Sequence, residues 1–507
     1  LQELFLNPLT RLTPHQANES YYEIASIDVS LSTLRGKNMK TLFVLIPMIV
    51  SASAQAGVFH NIIERRIEMK NIELHHRKAR KLVDVQQDTF DQVLDHFDSS
   101  NSTTFKQRYF IALDDTHGNA NAPVIYYQCG EGNCLDGYPI EPAIATYAAS
   151  LGAAIVILEH RYYGRSQPFD QMTGENLKYL TYEQALEDFA VFQKYITQKM
   201  GFTGKWIFAG GSYSGALSAY YRLKYPELVV GALSSSGVVK TETSFEDYDH
   251  LVAIGLGSDC LAAVKDVTHR VESVLNDPAA LAKIQTTFQS QDIKDPLDFL
   301  SVLDGMASAA VQYGQQDAFC KSILSSTDHL SGFATGGLAA LQILGLKPVD
   351  MTFQGAESTA TSDYEAGVGV RQWAYQSCVE FGGFAVPYHD PSMSAESSLL
   401  DLQYNLNGCK KLFGLTTPPD TDRMYKTYYL PLLDPSTSNI FFTNGSIDPY
   451  SMLSIATADG NVTNPNTAAF TLTGLAHCGD LGGSDGSGGV VDQAQAMFLK
   501  LANQWLK

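Results

Sequence analysis

A doubly wound, mostly parallel α/β sheet interrupted by an inserted, mainly helical segment is the fold this sequence predicts, and three observations predict it. Apolar, strand-like runs alternate with helix-forming runs from Phe90 to about Gly237. The alternation is lost from about Thr241 to Leu430. It returns with strand-like runs at 439–443 and 468–473 and a helical pattern from Val490 to Leu506. In the first part the expected elements are strand 124–127 (Val-Ile-Tyr-Tyr), helix near 142–151, strand 153–158, helix 182–199, strand 205–209, helix 215–225 and strand 229–234. The middle segment shows helical spacing over Leu261–Leu275, Pro296–Tyr313 and Asp317–Leu324, and reads as loops over Gly332–Gly337 and Gly355–Gly369. The domain expectation is therefore a sheet domain in two parts, 90–240 and 431–507, with 241–430 as a helical cap. The glycine run Gly482–Gly489 has no lysine where a phosphate loop needs one, and it reads as a flexible linker.

The strand ending at Ala209 runs into Gly210-Gly211-Ser212-Tyr213-Ser214-Gly215 and then into a helix-forming run. A strand that turns into a helix at a serine flanked by glycines is a nucleophile elbow, the catalytic turn of α/β-hydrolases. The turn lifts the hydroxyl above the sheet and aims the first helical N–H groups at the attacked carbonyl. One position departs from G-x-S-x-G, because Ser214 stands where the second glycine would be.

A serine hydroxyl needs a histidine base, and the histidine needs a carboxylate to fix its tautomer and stabilise the imidazolium. In this fold the chain order is serine, acid, histidine. Asp448 follows the run 439–443 and His477 follows the run 468–473, so both sit at carboxyl ends of strands, where open parallel sheets place their ligand crevices. Among the other histidines, His60, His75 and His76 precede the sheet, and His160 lies upstream of the serine. His160 therefore reads as structural. The oxyanion donors are expected to be the N–H of Tyr213 and one from Glu131 or Gly132, in the loop after strand 124–127.

These residues, with several further motifs, resemble the serine peptidase family of lysosomal Pro-X carboxypeptidase, dipeptidyl peptidase II and the thymus-specific serine protease. The further motifs are Gln92–Phe97 (QVLDHF) with Phe105–Tyr109 (FKQRY), Glu159–Gly164 (EHRYYG), Leu180–Leu186 (LTYEQAL), Tyr375–Cys378 (YQSC) and Asn444-Gly445 through Asp448-Pro449. The resemblance implies Ser212 as nucleophile, Asp448 as orienting acid, His477 as base and cleavage after proline. Ser214 looks like the form seen in fungal members, and Gly482 stands where mammalian members have a basic residue. The resemblance also implies disulfides Cys378–Cys409 and Cys260–Cys320. Cys129 with Cys134 would then close a small loop beside the oxyanion site and leave Cys478 free. A pocket for proline needs apolar and aromatic walls and no partner for an amide hydrogen. Trp373, Tyr375 and Tyr450 are the candidate walls, and core packing is the alternative for each.

The chain has 507 residues, 45% of them hydrophobic, and a formal charge of −19, which argues against nucleic acid and anionic membrane partners. Residue 1 is Leu and the first methionine is Met39. Met39-Lys40, the apolar run Leu42–Val50 and the small residues Ser51–Ala56 describe a secretory signal peptide over 39–56, too short to span a bilayer. Residues 1–38 then read as upstream translation or a gene-prediction artefact, and 57–89 as a propeptide or N-terminal extension. A secreted or vacuolar location follows, which suits disulfides among the seven cysteines and glycans at the sequons of Asn101 and Asn461. The sequon at Asn444 falls in the acid's loop, where a glycan would obstruct access. With neither a CxxC pair nor an HxxxH helix, no metal or other cofactor is expected.

The expected function is a serine peptidase acting on peptides through an acyl-enzyme, after proline and at mildly acid pH. The rivals are a lipase or esterase on the same fold and an inactive, hydrolase-like binding protein. Sequence leaves open the end of the peptide attacked and whether the chain forms a homodimer.

Overall fold

The computed structural model describes residues 84–113, 119–133, 140–365, 368–455, 464–484 and 486–507. The expected signal peptide, the residues before it, Cys134 and Asn461 lie outside them. Among the described residues ten strands are formed: β1 (Asp84–Val93), β2 (Thr104–Leu113), β3 (Val124–Gln128), β4 (Ala154–Leu158), β5 (Trp206–Gly211), β6 (Gly231–Ser235), β7 (Glu242–Phe245), β8 (Gly382–Ala385), β9 (Ile440–Gly445) and β10 (Ala468–Leu472). Eight of them make one sheet in the order β1-β2-β4-β3-β5-β6-β9-β10. The pairs β1/β2 and β2/β4 are antiparallel, and every later pair is parallel. β1 begins at Asp84, so the sheet starts earlier than the boundary expected at 90.

Successive side chains of a strand point to opposite faces, and here both faces are covered. Val124, Tyr126, Val156, Leu158, Phe208, Ile440 and Phe442 enter one apolar cluster. Their neighbours Ile125, Tyr127, Ile155, Ile157, Ile207, Ala209 and Phe441 enter another. The first is closed by helices α2 (Tyr182–Met200) and α3 (Ser212–Lys224), the second by α1 (Pro142–Leu151) and the C-terminal helix (Val490–Trp505). This is the α/β-hydrolase arrangement.

The insertion carries α4 (Glu246–Glu272), α5 (Pro278–Thr287), α6 (Pro296–Gln312), α7 (Gln316–Leu324), α8 (His329–Ile343), α9 (Val370–Gln376) and α10 (Leu402–Phe413), with its own apolar core. The expected loop Gly332–Gly337 is instead the middle of α8. Its glycines serve close packing. A Cβ on Gly332 would lie 2.5 Å from the Ser322 carbonyl oxygen of α7, and one on Gly337 would lie 2.5 Å from Met306 Sδ of α6. Glycine read as a loop signal because chain breaking is its commoner use; here helix contact outweighs its low propensity. Cys260 is bonded to Cys320 and Cys378 to Cys409, while Cys478 is a free thiol. The run 482–489 is tied to the C-terminal helix, since the Ser484 hydroxyl and the Gly488 N–H both donate to Asp492.

Candidate active site

Ser212 stands at the junction of β5 and α3 with φ +59°, a left-handed conformation that L-residues with side chains seldom adopt. The glycines on either side allow the close contacts of the turn. A Cβ on Gly210 would lie 2.3 Å from the Ser214 carbonyl oxygen, and one on Gly215 would lie 2.7 Å from the Ser235 carbonyl oxygen of β6. Gly215 thus supplies the close approach, and Ser214 is free to take another task. Its buried hydroxyl donates to the Gly211 carbonyl at 2.6 Å and accepts the Gly211 N–H at 3.0 Å, stapling the turn. Ser214→Ala removes both bonds, and the expected result is a stability loss of about 1–2 kcal/mol with most activity retained. Thermal melting and steady-state kinetics check it; a dead, normally folded variant would transfer the central role from Ser212 to Ser214.

Asp448 is fully buried at the end of the β9 segment. Its Oδ1 accepts the Tyr450 N–H at 2.9 Å, and its Oδ2 accepts from His477 Nδ1 at 2.8 Å. A carboxylate only accepts, so His477 carries a proton on Nδ1, and the neutral ring keeps its lone pair on Nε2. Nε2 is buried without a hydrogen-bond partner. Three anchors hold the histidine loop. His477 N–H donates to the Gln312 carbonyl of α6 at 3.0 Å, Cys478 N–H donates to Ser236 Oγ at 2.8 Å, and Asp480 accepts the hydroxyls of Ser235 and Thr443 at 2.5 and 2.8 Å. Burial opposes charge on the imidazole, but the Asp448 carboxylate and the Cys478 sulfur outweigh it, and the His477 pKa is raised well above its ordinary value.

The loop after β3 reaches the elbow, since a Cβ on Gly130 would sit 3.6 Å from Ser214 Oγ. The Glu131 carbonyl accepts the Gly369 N–H at 3.2 Å and Gly132 pairs with Val368, which pins this loop to the cap. Glu131 and Ser212 line a common cavity of about 410 Å³ between sheet and cap. Burial pushes the Glu131 carboxyl up from its ordinary value.

Trp373 and Tyr450 line the same cavity. Trp373 packs edge-on against Tyr213 at 5.8 Å, and Tyr450 lies 5.6 Å from the His477 ring. Tyr375 does not join them. It is buried with Tyr162, Tyr163 and Leu177 and packs on Phe413 at 5.2 Å. Two residues apart on a helix face away from each other, so Trp373 toward the cavity sends Tyr375 into the core. His160 is buried, with Nδ1 donating to the Arg161 carbonyl at 2.7 Å and Nε2 accepting the Tyr213 hydroxyl at 3.0 Å. Burial lowers its pKa to about 4, so it is a neutral strut beneath the elbow residue. Sequence reasoning did not single out Tyr248, Gln312, Tyr313 and Phe381, cap residues around the cavity or the histidine loop. They belong to no motif, and only the cap's folding brings them there.

The family profile of serine carboxypeptidase S28 matches residues 92–491. The chain belongs to the S28 family. It is 31% identical to the thymus-specific serine protease of Mus musculus, over 78% of this chain and 82% of that one. The human thymus-specific serine protease is 30% identical, with 77% and 80% covered. The lysosomal Pro-X carboxypeptidase of Bos taurus is 27% identical, with 82% and 87% covered. S28 membership makes this chain a serine-type peptidase hydrolase, and the match spans both parts of the sheet and the cap between them. Among the described residues no helix is long and apolar enough to cross a membrane, and no cluster of His, Cys, Asp or Glu could hold a metal ion.

Proposed function

We propose that Ser212, Asp448 and His477 are the catalytic triad of a secreted or vacuolar peptidase that cleaves after proline through an acyl-enzyme. The observation that carries the triad is the buried Asp448–His477 hydrogen bond, which leaves Nε2 without a partner of its own. In this reading Ser212 Oγ attacks the scissile carbonyl as its proton passes to His477 Nε2. Negative charge develops on the carbonyl oxygen and is met by the Tyr213 N–H and an N–H of Glu131 or Gly132. The imidazolium gives its proton to the departing amine, and water then repeats the sequence to release the acid.

Apolar walls in the cavity support the proline reading. Trp373, Phe381, Tyr248 and Tyr450 supply apolar walls to the cavity that Ser212 also lines, and a P1 proline has no N–H to satisfy. The compartment rests on the disulfides and on relatives that include a peptidase named lysosomal. The test is kcat/KM for matched peptides with Pro, Ala, Leu or Phe at P1. Pro is expected to lead Leu and Phe by at least about tenfold; equal rates would remove the specificity and leave a serine peptidase.

The raised pKa of His477 gives a pH dependence opposed to the mildly acid expectation. The base works only when neutral, so kcat/KM is expected to rise with pH through a value above the ordinary histidine range near 6.5. The same raised pKa stabilises the fold most below the unfolded-state value, and that contribution is lost as pH climbs through the folded-state one. A pH–rate profile that peaks near pH 5 would show that another group sets the acid limb.

A further inference from the structure

Both groups expected to meet the oxyanion, the Tyr213 N–H and the loop 130–132, are tied to the cap through side-chain hydrogen bonds. On the loop side the tie is Asn133. Its Oδ1 accepts from Arg108 Nη2 of β2 at 3.0 Å, and its Nδ2 donates to the Glu365 carbonyl of the cap at 2.5 Å. Arg108 is aimed by the fully buried carboxylate of Glu159, to which its Nε and Nη2 donate at 3.0 and 2.6 Å. Ser166 Oγ and the Arg165 N–H donate to the same carboxylate at 2.5 and 3.2 Å. Gly164 leaves the space, since a Cβ there would lie 1.9 Å from Glu159 Oε1. Nearer the strand, Gln128 Oε1 accepts the Gly130 N–H at 3.0 Å, so the loop is fixed at both ends. On the elbow side the tie is Gln376, the last residue of α9. Its Nε2 donates to the Tyr213 hydroxyl at 2.8 Å, and its Oε1 accepts from the Tyr163 hydroxyl at 2.5 Å. Arg108 of FKQRY, Glu159, Tyr163 and Gly164 of EHRYYG and Gln376 of YQSC thus converge on two ties that the triad itself does not use.

A buried Arg–carboxylate pair adds little net stability over apolar packing, because desolvation offsets most of the attraction. What it supplies is direction, since the planar guanidinium holds its N–H groups in a fixed fork. Oxyanion stabilisation depends on such fixity, because its donors must already stand about 2.7–3.1 Å from the place where charge develops. The candidate loop donors are the N–H groups of Glu131 and Gly132, immediately before Asn133 in the chain, so a shift of Asn133 moves them directly. Building on the peptidase reading above, we propose that Asn133 and Gln376 are positioning residues of the oxyanion hole, Asn133 setting the loop and Gln376 setting Tyr213, so that sheet and cap hold the hole jointly.

The test compares the whole protein with Asn133→Ala and Gln376→Met, each normalised to the fraction of chains that a fluorophosphonate labels at Ser212 on completion. Per labelled site, Asn133→Ala is expected to lower kcat by about 30- to 100-fold and Gln376→Met by about tenfold, the scale of a displaced catalytic donor. KM is expected to stay within about threefold, as it does when an interaction made only in the transition state is lost. A peptide boronate, whose tetrahedral adduct places an oxygen in the hole, is expected to bind each variant more weakly by a factor close to its loss in kcat. The pH at which kcat/KM is half-maximal is expected to stay that of the parent, because the histidine is untouched. A variant that does not fold is replaced by Asn133→Asp, which keeps the bond from Arg108 and gives up the one to Glu365, or by Gln376→Glu, which keeps the bond from Tyr163 and gives up the one to Tyr213. A lower labelled fraction with kcat and boronate affinity per site unchanged would mean that these residues serve folding alone, and it overturns the inference. A raised KM with kcat unchanged overturns it too, since that places them in substrate binding. Failure of the peptidase reading looks different: a folded parent protein whose Ser212 takes no label.

Discussion

Ser212→Ala is expected to lower kcat by about six orders of magnitude, the scale seen when a serine hydrolase loses its nucleophile, while leaving the melting transition close to that of the parent protein. The reasoning is local. Ser212 adopts φ +59° between glycines whose close contacts leave no room for a side chain, and its hydroxyl is in neither of the Ser214–Gly211 hydrogen bonds that staple the turn. Alanine keeps the backbone demand and removes only the attacking oxygen. Steady-state assays with a contaminant-free preparation, alongside thermal melts, check it. Activity within tenfold of the parent would mean that another group attacks.

Asp448→Asn is expected to cost about 10⁴ in kcat with little loss of stability, through the tautomer of His477. An asparagine can still accept the Tyr450 N–H through its Oδ1, as Asp448 does at 2.9 Å. Its NH₂ would then face His477 Nδ1 as a donor, so the imidazole would carry its proton on Nε2 and lose the lone pair that a base needs. The raised His477 pKa should also fall, because the Asp448 carboxylate is the main influence that raises it against burial. The histidine titration, followed by NMR, is the readout that a purely structural role would not move. Equal losses of melting temperature and activity would make Asp448 a turn residue.

Much of the sheet was legible because its strands carry local signals. β3, β4 and β9 are wholly buried and β5 nearly so, and β3, β5 and β9 lead into turns bearing Glu131, Ser212 and Asp448. Ser212, Asp448 and His477 stood out in the sequence for the same reason, since each follows its own strand. The cap was less legible. Its helices were visible as spacing, but the glycines of α8 look like breakers until the packing of α6 and α7 against them is known. Trp373 and Tyr375 were equal candidates in sequence, and only the orientation of α9 separates them.

The central claim is that a single hydroxyl, that of Ser212, is activated for attack. Its most direct measurement is intact and peptide-level mass spectrometry of the protein after reaction with a fluorophosphonate. The expected result is one adduct per chain, on the peptide containing Ser212, formed faster as pH rises through the His477 titration. An adduct on Ser214 or another residue, or no adduct on a folded protein that still hydrolyses peptides, would contradict it.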